Sequence, residues 1–275
     1  MGHKKVERID PLTRKLPPFG MDSHAHVNDA RFDADREDVL ARAQAVGIVT
    51  ILNIFGDPLA FAEEKHVFDN HPEVFFALGV HPCDGLTWNN EVESALCDAL
   101  ANEPRIRAVG EIGLDYYWKD CPHETQMAVF SRQIAIAKEM HLPIVIHCRD
   151  AVTECLHLLT VNACQGYPVL WHCFGGDATL ARRIVENGWM ISLPGPVTYP
   201  ANTVVREALP SIPKERLLVE TDCPYLAPHP HRGTRNEPAY TVFTIEAMAN
   251  ALGCDKESLW RTCGDNGRAF FGIGL

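Results

Sequence analysis

The feature that most constrains the fold is a rhythm. Eight short apolar runs, centred on residues 19–23, 48–54, 74–80, 106–110, 144–146, 169–171, 189–192 and 217–221, are separated by segments with helical spacing. This alternation is the pattern of βα units on a parallel sheet, and eight is the number at which such a sheet closes on itself. We therefore expect an α/β fold, a (β/α)8 TIM barrel. The intervening segments carry their own marks. Val39, Ala43 and Val46 share one face before Gly47, which suits a C-terminal cap. Asp57-Pro58 reads as an N-cap and first helical position, with Leu59, Ala62 and His66 behind it at helical spacing. Val92, Leu96 and Leu100 form a stripe. Phe130, Ile134 and Ala137 form another, ended near His141 because Pro143 disfavours continuation. Val242, Ile245, Ala249 and Leu252 stop at Gly253, and a last segment around Leu259 and Cys263 is expected to pack across the barrel bottom.

A chain of 275 residues fits one barrel. Residues 19–275 are read as a single TIM-barrel domain. Residues 1–18 are read as a leading arm carrying Lys4, Lys5, Arg8, Arg14 and Lys15, of which Met1-Gly2-His3 could be an added scar. The longest apolar runs, 48–55 and 142–146, fall far short of the roughly 20 residues a membrane span needs. With no secretory pattern at the N-terminus, a cytoplasmic location without membrane contact is the expectation. Ten cysteines without a C-x-x-C pair read as reduced thiols. The formal charge of -11 disfavours broad electrostatic adhesion to nucleic acid, so a polyanionic substrate would have to be captured locally.

In such a barrel chemistry belongs at the C-terminal ends of the strands. Those ends carry Asp22-Ser23-His24-Ala25-His26, Gly110-Glu111, His147, His172 and Glu220-Thr221-Asp222. His24 and His26, two apart on a strand, project to one face and can converge on one ion. A lone strand-end histidine is more often a hydrogen-bonded structural residue. Joined in the same register, His24, His26, Glu111, His147, His172 and Asp222 instead point to a metal site. Cys148, Cys173 and Cys223 each follow a candidate ligand by one residue, so alternation should turn them toward the helical layer.

The motifs D-S-H-A-H at 22–26, G-V-H-P at 79–82, G-E-I-G-L-D-Y-Y at 110–117 and P-I-V-I-H-C-R-D-A at 143–151 go further. With H-C-F-G-G at 172–176, E-T-D-C-P-Y-L-A-P at 220–228 and R-N-E-P at 235–238, the chain resembles the TatD family of metal-dependent deoxyribonucleases, within the amidohydrolase-like barrel hydrolases. The resemblance covers nearly everything after Phe19; the basic arm departs from it. It implies that His24, His26, Glu111 and Asp222 surround one metal, and that Glu111 bridges to a second held by His147 and His172.

Two divalent ions sharing a water could attack a phosphodiester, with Asp222 the candidate general base beside Glu111. Four imidazoles suit zinc, iron, nickel or manganese, whereas nuclease activity in the family is commonly associated with magnesium. Arg149, two residues beyond His147, could clamp a phosphate or pair with Asp150. His81 could contact substrate or brace its loop. Arg235 and Asn236 are expected at the pocket wall by resemblance, with loop bracing the alternative for Arg235. Tyr116, Tyr117 and Trp118 could stack on a base, ordinary packing being the default for at least two of them. The expected activity is DNA phosphodiester hydrolysis at single strands or strand ends, with no protein partner evident. A related hydrolase of a small phosphoester, lactone or amide is the second reading, and a non-catalytic metal-stabilised binding protein the third.

Overall fold

A computed structural model describes residues 8–274 of the chain. Its eight strands are β1 Gly20–Ala25, β2 Ile48–Phe55, β3 Val74–Leu78, β4 Ile106–Asp115, β5 Ile144–Arg149, β6 Val169–Trp171, β7 Met190–Leu193 and β8 Leu217–Val219. They pair in parallel in the order β1-β2-β3-β4-β5-β6-β7-β8. An isolated parallel bridge between Ala25 and Cys223 joins the first strand to the chain beyond the last. This is the expected barrel. The connecting helices are α1 Arg36–Ala45, α2 Phe61–Glu64, α3 Asn90–Asn102, α4 His123–Glu139, α5 Val152–Val161, α6 Ala178–Glu186, α7 Thr203–Ala208, α8 Thr241–Leu252 and α9 Lys256–Phe270. No helix among the described residues is long and apolar enough to cross a membrane.

Strand alternation divides the apolar side chains into two cores. Val39, Val46, Phe55, Phe130, Ile134 and Val242 belong to the larger one, between strands and helices. The smaller fills the barrel itself: Met21, Leu52, Ala77, Ala108, Val145, Leu170, Met190 and Leu218 contribute one residue from each strand, with Phe271 and Ile273 added from the chain end. Helix α9 closes the bottom, as expected. Its Trp260 covers Gly20, its Gly264 backbone sits against the Phe19 carbonyl, and its Gly267 leaves room for Met21 and Leu218.

The region after Asp57 departs from the reading above. The Asp57 carboxylate does accept the N–H groups of Leu59 and Ala60 (2.8 and 3.3 Å), but the α-helix begins only at Phe61 and lasts four residues. Phe61 and the later Phe68 take the buried positions, while Leu59, Ala62 and His66 are not in the core. Two aromatic anchors seven residues apart outcompete a weaker Leu-Ala-His stripe. The arm also has structure where it is described. From Arg8 on it forms a short 3₁₀ turn, Pro11–Arg14, and lies against the barrel. Leu16 donates its N–H to Val46, and Pro17 receives the indole N–H of Trp260 (3.0 and 2.8 Å). It crosses directly over Gly47, whose φ of +106° and 2.3 Å clearance to the Leu16 carbonyl exclude a side chain there. Residues 1–7, including Met1-Gly2-His3, lie outside the described residues.

Candidate metal centre

Three local departures from regular strand geometry bring the polar side chains together. In β4 the pairing with β5 shifts between Val109 and Ile112, so that both these residues face the helical core and Glu111 between them turns into the barrel. Strand β4 then continues past Glu111 to Asp115, and β5 past His147 to Arg149, so those two candidates lie within strands rather than at their ends. Gly113, at φ +148°, lets β4 press on β5: a Cβ there would sit 1.9 Å from the His147 carbonyl. At the barrel seam, Asp222 donates its N–H to the His24 carbonyl (2.9 Å) and His26 donates to Cys223 (2.8 Å), which sets Asp222 beside both histidines. Buried Asp22 ties the same seam, accepting from the hydroxyl and N–H of Thr221 and from the N–H of His24. Burial drives its carboxyl up to about 8 against the pull of those hydrogen bonds.

The six expected ligands meet in one cluster, and Glu111 is its pivot. Its Oε1 lies 3.7 Å from His24 Nε2 and 3.6 Å from His26 Nε2, which in turn stand 3.7 and 3.4 Å from Asp222 Oδ1. Its Oε2 faces His172 Nε2 at 2.8 Å and His147 Nδ1 at 3.3 Å. The imidazoles of His24 and His172 stack at 3.8 Å between the two sets. Two groups of donors result, His24 with His26 and Asp222, and Glu111 with His147 and His172, each with ligand atoms within 4.8 Å of one another.

Two carboxylates missed by sequence reasoning stand behind these imidazoles. His147 Nε2 lies 2.9 Å from Asp115 Oδ2, which turns Nδ1 toward Glu111. Glu220 lies 3.6 Å from His172 Nδ1 while accepting from the Cys173 N–H (2.7 Å) and the Ser192 hydroxyl. Carboxylates in this position fix the ring and tautomer of a metal-binding histidine. Both were visible in the motifs at 110–117 and 220–228, but only contact with a ring distinguishes them.

The cluster fits divalent cations on the evidence of its own unsatisfied atoms. Both ring nitrogens of His24 and Nδ1 of His172 are buried without a hydrogen-bond partner, and His172 Nε2 meets Glu111 Oε2 at 2.8 Å without good hydrogen-bond alignment. Buried polar atoms are seldom left so, and lone pairs converging from imidazole and carboxylate are the donor chemistry of a metal site. The electrostatics agree. Burial opposes ionisation of Glu111, yet His172 and His24 beside it hold its carboxyl well below the usual range. Burial likewise opposes charging His147, but Asp115 and Glu111 raise it to about 9. The acids here call for positive charge.

Above the cluster opens a cavity of about 1610 Å³. Among the described residues eight carboxylates, those of Asp29, Asp57, Glu64, Asp84, Glu111, Asp115, Asp150 and Asp222, line it against one guanidinium, Arg149. His81 also lines it, held by accepting the Cys83 N–H on Nδ1 (3.1 Å), and burial lowers its ring to about 4, so it faces the cavity neutral.

Two expected wall residues are elsewhere. Arg235 pairs in a fork with Asp35 (2.7 and 2.6 Å) and donates to the Arg31 carbonyl, so its donors are spent on bracing loops. Asn236 is fully buried and donates to the carbonyls of Thr221 and Tyr225 (2.8 and 2.7 Å). Of the three aromatics after β4, only Tyr116 packs, stacked on His123 at 3.6 Å; Tyr117 and Trp118 are half exposed. Cys223 joins the helical core; Cys148 packs against that core and also borders the cavity. Cys173 does not turn away: β6 has ended, its φ of +51° breaks the alternation, and it lines the cavity.

Comparison with known proteins gives a consistent picture. The family described as TatD related DNase matches residues 21–272. An uncharacterized metal-dependent hydrolase of Bacillus subtilis, YabD, is 35% identical over 252 residues, covering 92% of this chain and 98% of its own. The 3'-5' ssDNA/RNA exonuclease TatD of Klebsiella pneumoniae is 34% identical over 258 residues, covering 92% and 97%. Among solved structures, the TatD homologue YJJV of Escherichia coli superposes with a TM-score of 0.87 at 26% identity, over 94% of this chain and 99% of its own.

Proposed function

From the premise that the chain belongs to the TatD-related DNase family and is a metal-dependent hydrolase, we propose that it hydrolyses phosphodiester bonds of DNA at single strands or strand ends. The observation that carries this reading is the split attachment of Glu111, one oxygen toward His24 and His26, the other toward His147 and His172. In that position Glu111 would share the holding of divalent cations, with His24, His26 and Asp222 on one side and His147 and His172 on the other. Two divalent cations there would acidify a water and draw off the charge developing on a phosphodiester.

The chain's own groups supply the rest. Asp222 stands 3.4 Å from His26 at the edge of the cluster, open to the cavity, where a carboxylate can take the proton of the attacking water and pass it to the leaving oxygen. Burial opposes its ionisation, but hydrogen bonding to His26 and the neighbouring His24 hold its pKa below the usual carboxylate value, so it is ionised at neutral pH and able to accept a proton. Asp115 and Glu220 keep the rings of His147 and His172 aimed. Arg149, the one guanidinium lining the cavity, is placed to meet a phosphate oxygen. His81 offers a neutral ring beside His147, 4.5 Å between centroids.

The five carboxylates that line the cavity outside the cluster, those of Asp29, Asp57, Glu64, Asp84 and Asp150, favour a second reading, a small or weakly charged ester or amide that would suffer less repulsion than a polynucleotide. Turnover on single-stranded DNA, duplex DNA and a small phosphodiester, with metal supplied, separates the two. Preference for single strands supports the first. Rapid small-ester cleavage with no turnover of any nucleic acid installs the second. Asp222→Asn should lower turnover by roughly two orders of magnitude or more in either case; unchanged turnover with both metals bound removes the base assignment.

A further inference from the structure

The polar cluster has an apolar rim. Leu59, Leu86, Trp118, Tyr225 and Leu226 are all exposed, and all line the mouth of the cavity. Apolar surface gathered at the edge of a charged site marks what the ligand brings besides charge. The aromatic members lie on opposite sides, since Tyr225 follows β8, which neighbours β1, while Trp118, with exposed Tyr117 next to it in the chain, follows β4 halfway around the barrel.

Tyr225 is held from behind and open in front. Its ring stands 6.3 Å from that of His26, nearly perpendicular, and is 49% exposed. The Arg31 guanidinium lies 4.4 Å over it. That cation is already neutralised by a fork to Asp29 (2.8 and 2.7 Å), so it backs the ring rather than seeking a phosphate. Arg235, locked to Asp35, grips the Arg31 carbonyl, and Asn236 grips the Tyr225 carbonyl. The R-N-E-P segment thus acts on the mouth through Tyr225.

The other side is built differently. Tyr117 and Trp118 stand perpendicular at 5.0 Å, with Arg149 3.8 Å over the first and 5.9 Å over the second. Among the described residues no carboxylate comes within ion-pair distance of Arg149, so its charge is free. The N–H groups of Tyr117 and Trp118 hang from Asp115 Oδ1 (2.9 and 3.0 Å), the same carboxylate that orients His147.

We propose that these are two nucleobase platforms: Tyr225 stacks on the terminal base of an unpaired strand beside the metal cluster, and Trp118 with Tyr117 takes a second base across the mouth, its phosphate met by Arg149. The proposal rests on the nucleic-acid reading above. It explains how an acidic mouth retains a polyanion: stacking is indifferent to charge and contributes per base. It also requires unpaired ends, because bases within a duplex already have both faces covered.

The test uses the metal-loaded enzyme and a phosphorothioate-linked single strand carrying 2-aminopurine at one end, at the other, or at an internal position, whose fluorescence is quenched on stacking. Binding is followed separately by anisotropy. Wild type should bind and quench. Tyr225→Ala should weaken binding roughly tenfold to a hundredfold and lose the terminal quench, with Tyr225→Phe retaining it. Trp118→Ala should lose the quench of an internal 2-aminopurine. Tyr225→Leu keeps apolar volume without a π-face, so it must also lose the quench even where the alanine variant folds poorly. Arg31→Leu, acting through the ring, should reduce quenching at saturating protein, with Arg31→Lys restoring part of it. Binding by wild type with no quench at either end overturns the platforms and leaves the nuclease reading standing. Tyr225→Leu quenching as fully as wild type does the same. Failure of wild type to bind single strands at all brings down both.

Discussion

The lower and upper halves of the barrel interior are made by the same strands and could hardly differ more. Below, Met21, Leu52, Val145 and Leu218 meet Phe271 in a dry, satisfied plug. Above, a few residues further along β1, β4 and β5, His24, Glu111 and His147 converge, with both ring nitrogens of His24 buried and without a hydrogen-bond partner. One half gains stability by burying carbon, and the other leaves buried nitrogen and oxygen waiting for a cation. Stability and function are therefore stacked along one axis, and substitutions should separate them.

The largest expected effect lies at the pivot. Glu111→Gln should lower turnover on the order of 10³-fold and release bound metal, read by elemental analysis and kinetics, while leaving the fold intact. Unfolding of this variant would show that the upper cluster is structural after all. In the plug, Leu218→Ala should destabilise by about 2 to 5 kcal/mol in denaturant titration, with metal content per folded chain unchanged. Metal loss there would erase the division between the halves. Asp115→Asn comes next: the fold should persist while metal affinity or turnover falls about 10- to 100-fold in chelator competition. Glu220→Gln should do the same through His172, and a variant with no change in metal affinity would remove Asp115 or Glu220 from the aiming of the rings.

The smallest effect belongs to the outer surface, as a reference for both halves. His71 Nδ1 meets Glu73 at 3.1 Å and its Nε2 meets Glu37 at 3.1 Å. Burial lowers its pKa, but the two carboxylates raise it further, so the folded value lies above the ordinary 6.5. A raised folded pKa gives a contribution present in full below the unfolded value and lost as pH rises through the folded one. His71→Gln should flatten that part of the stability profile, seen as a smaller fall in melting temperature between about pH 6 and about pH 8. Metal binding should not notice. A profile identical to wild type would show that the two ion pairs are screened to nothing.

How far the sequence could be read follows from what each residue depends on. The barrel was legible because eight apolar runs and their helical partners are local patterns, and the bottom position of α9 followed from Leu259 and Cys263. The six candidate ligands were legible because strand register places them at one level. Asp115 and Glu220 were not, since nothing in a carboxylate's sequence neighbourhood says which ring it touches. Arg235 and Asn236 were misplaced because their motif marks a loop, and only the positions of Asp35, Arg31 and Tyr225 decide where that loop spends its hydrogen bonds. Cys173 escaped because alternation holds only within a strand, and its backbone turns left-handed beyond β6.

What the sequence determined by itself was the periodicity: which faces are apolar, how many strands there are, and which donors share a level. The tertiary structure alone decided which donors meet. The shift in β4 that turns Glu111 inward, the seam that sets Asp222 against His24 and His26, and the buttress behind Tyr225 each join residues far apart along the chain. Burial and hydrogen bonding act on distance in space, and distance in space exists only once the barrel has closed.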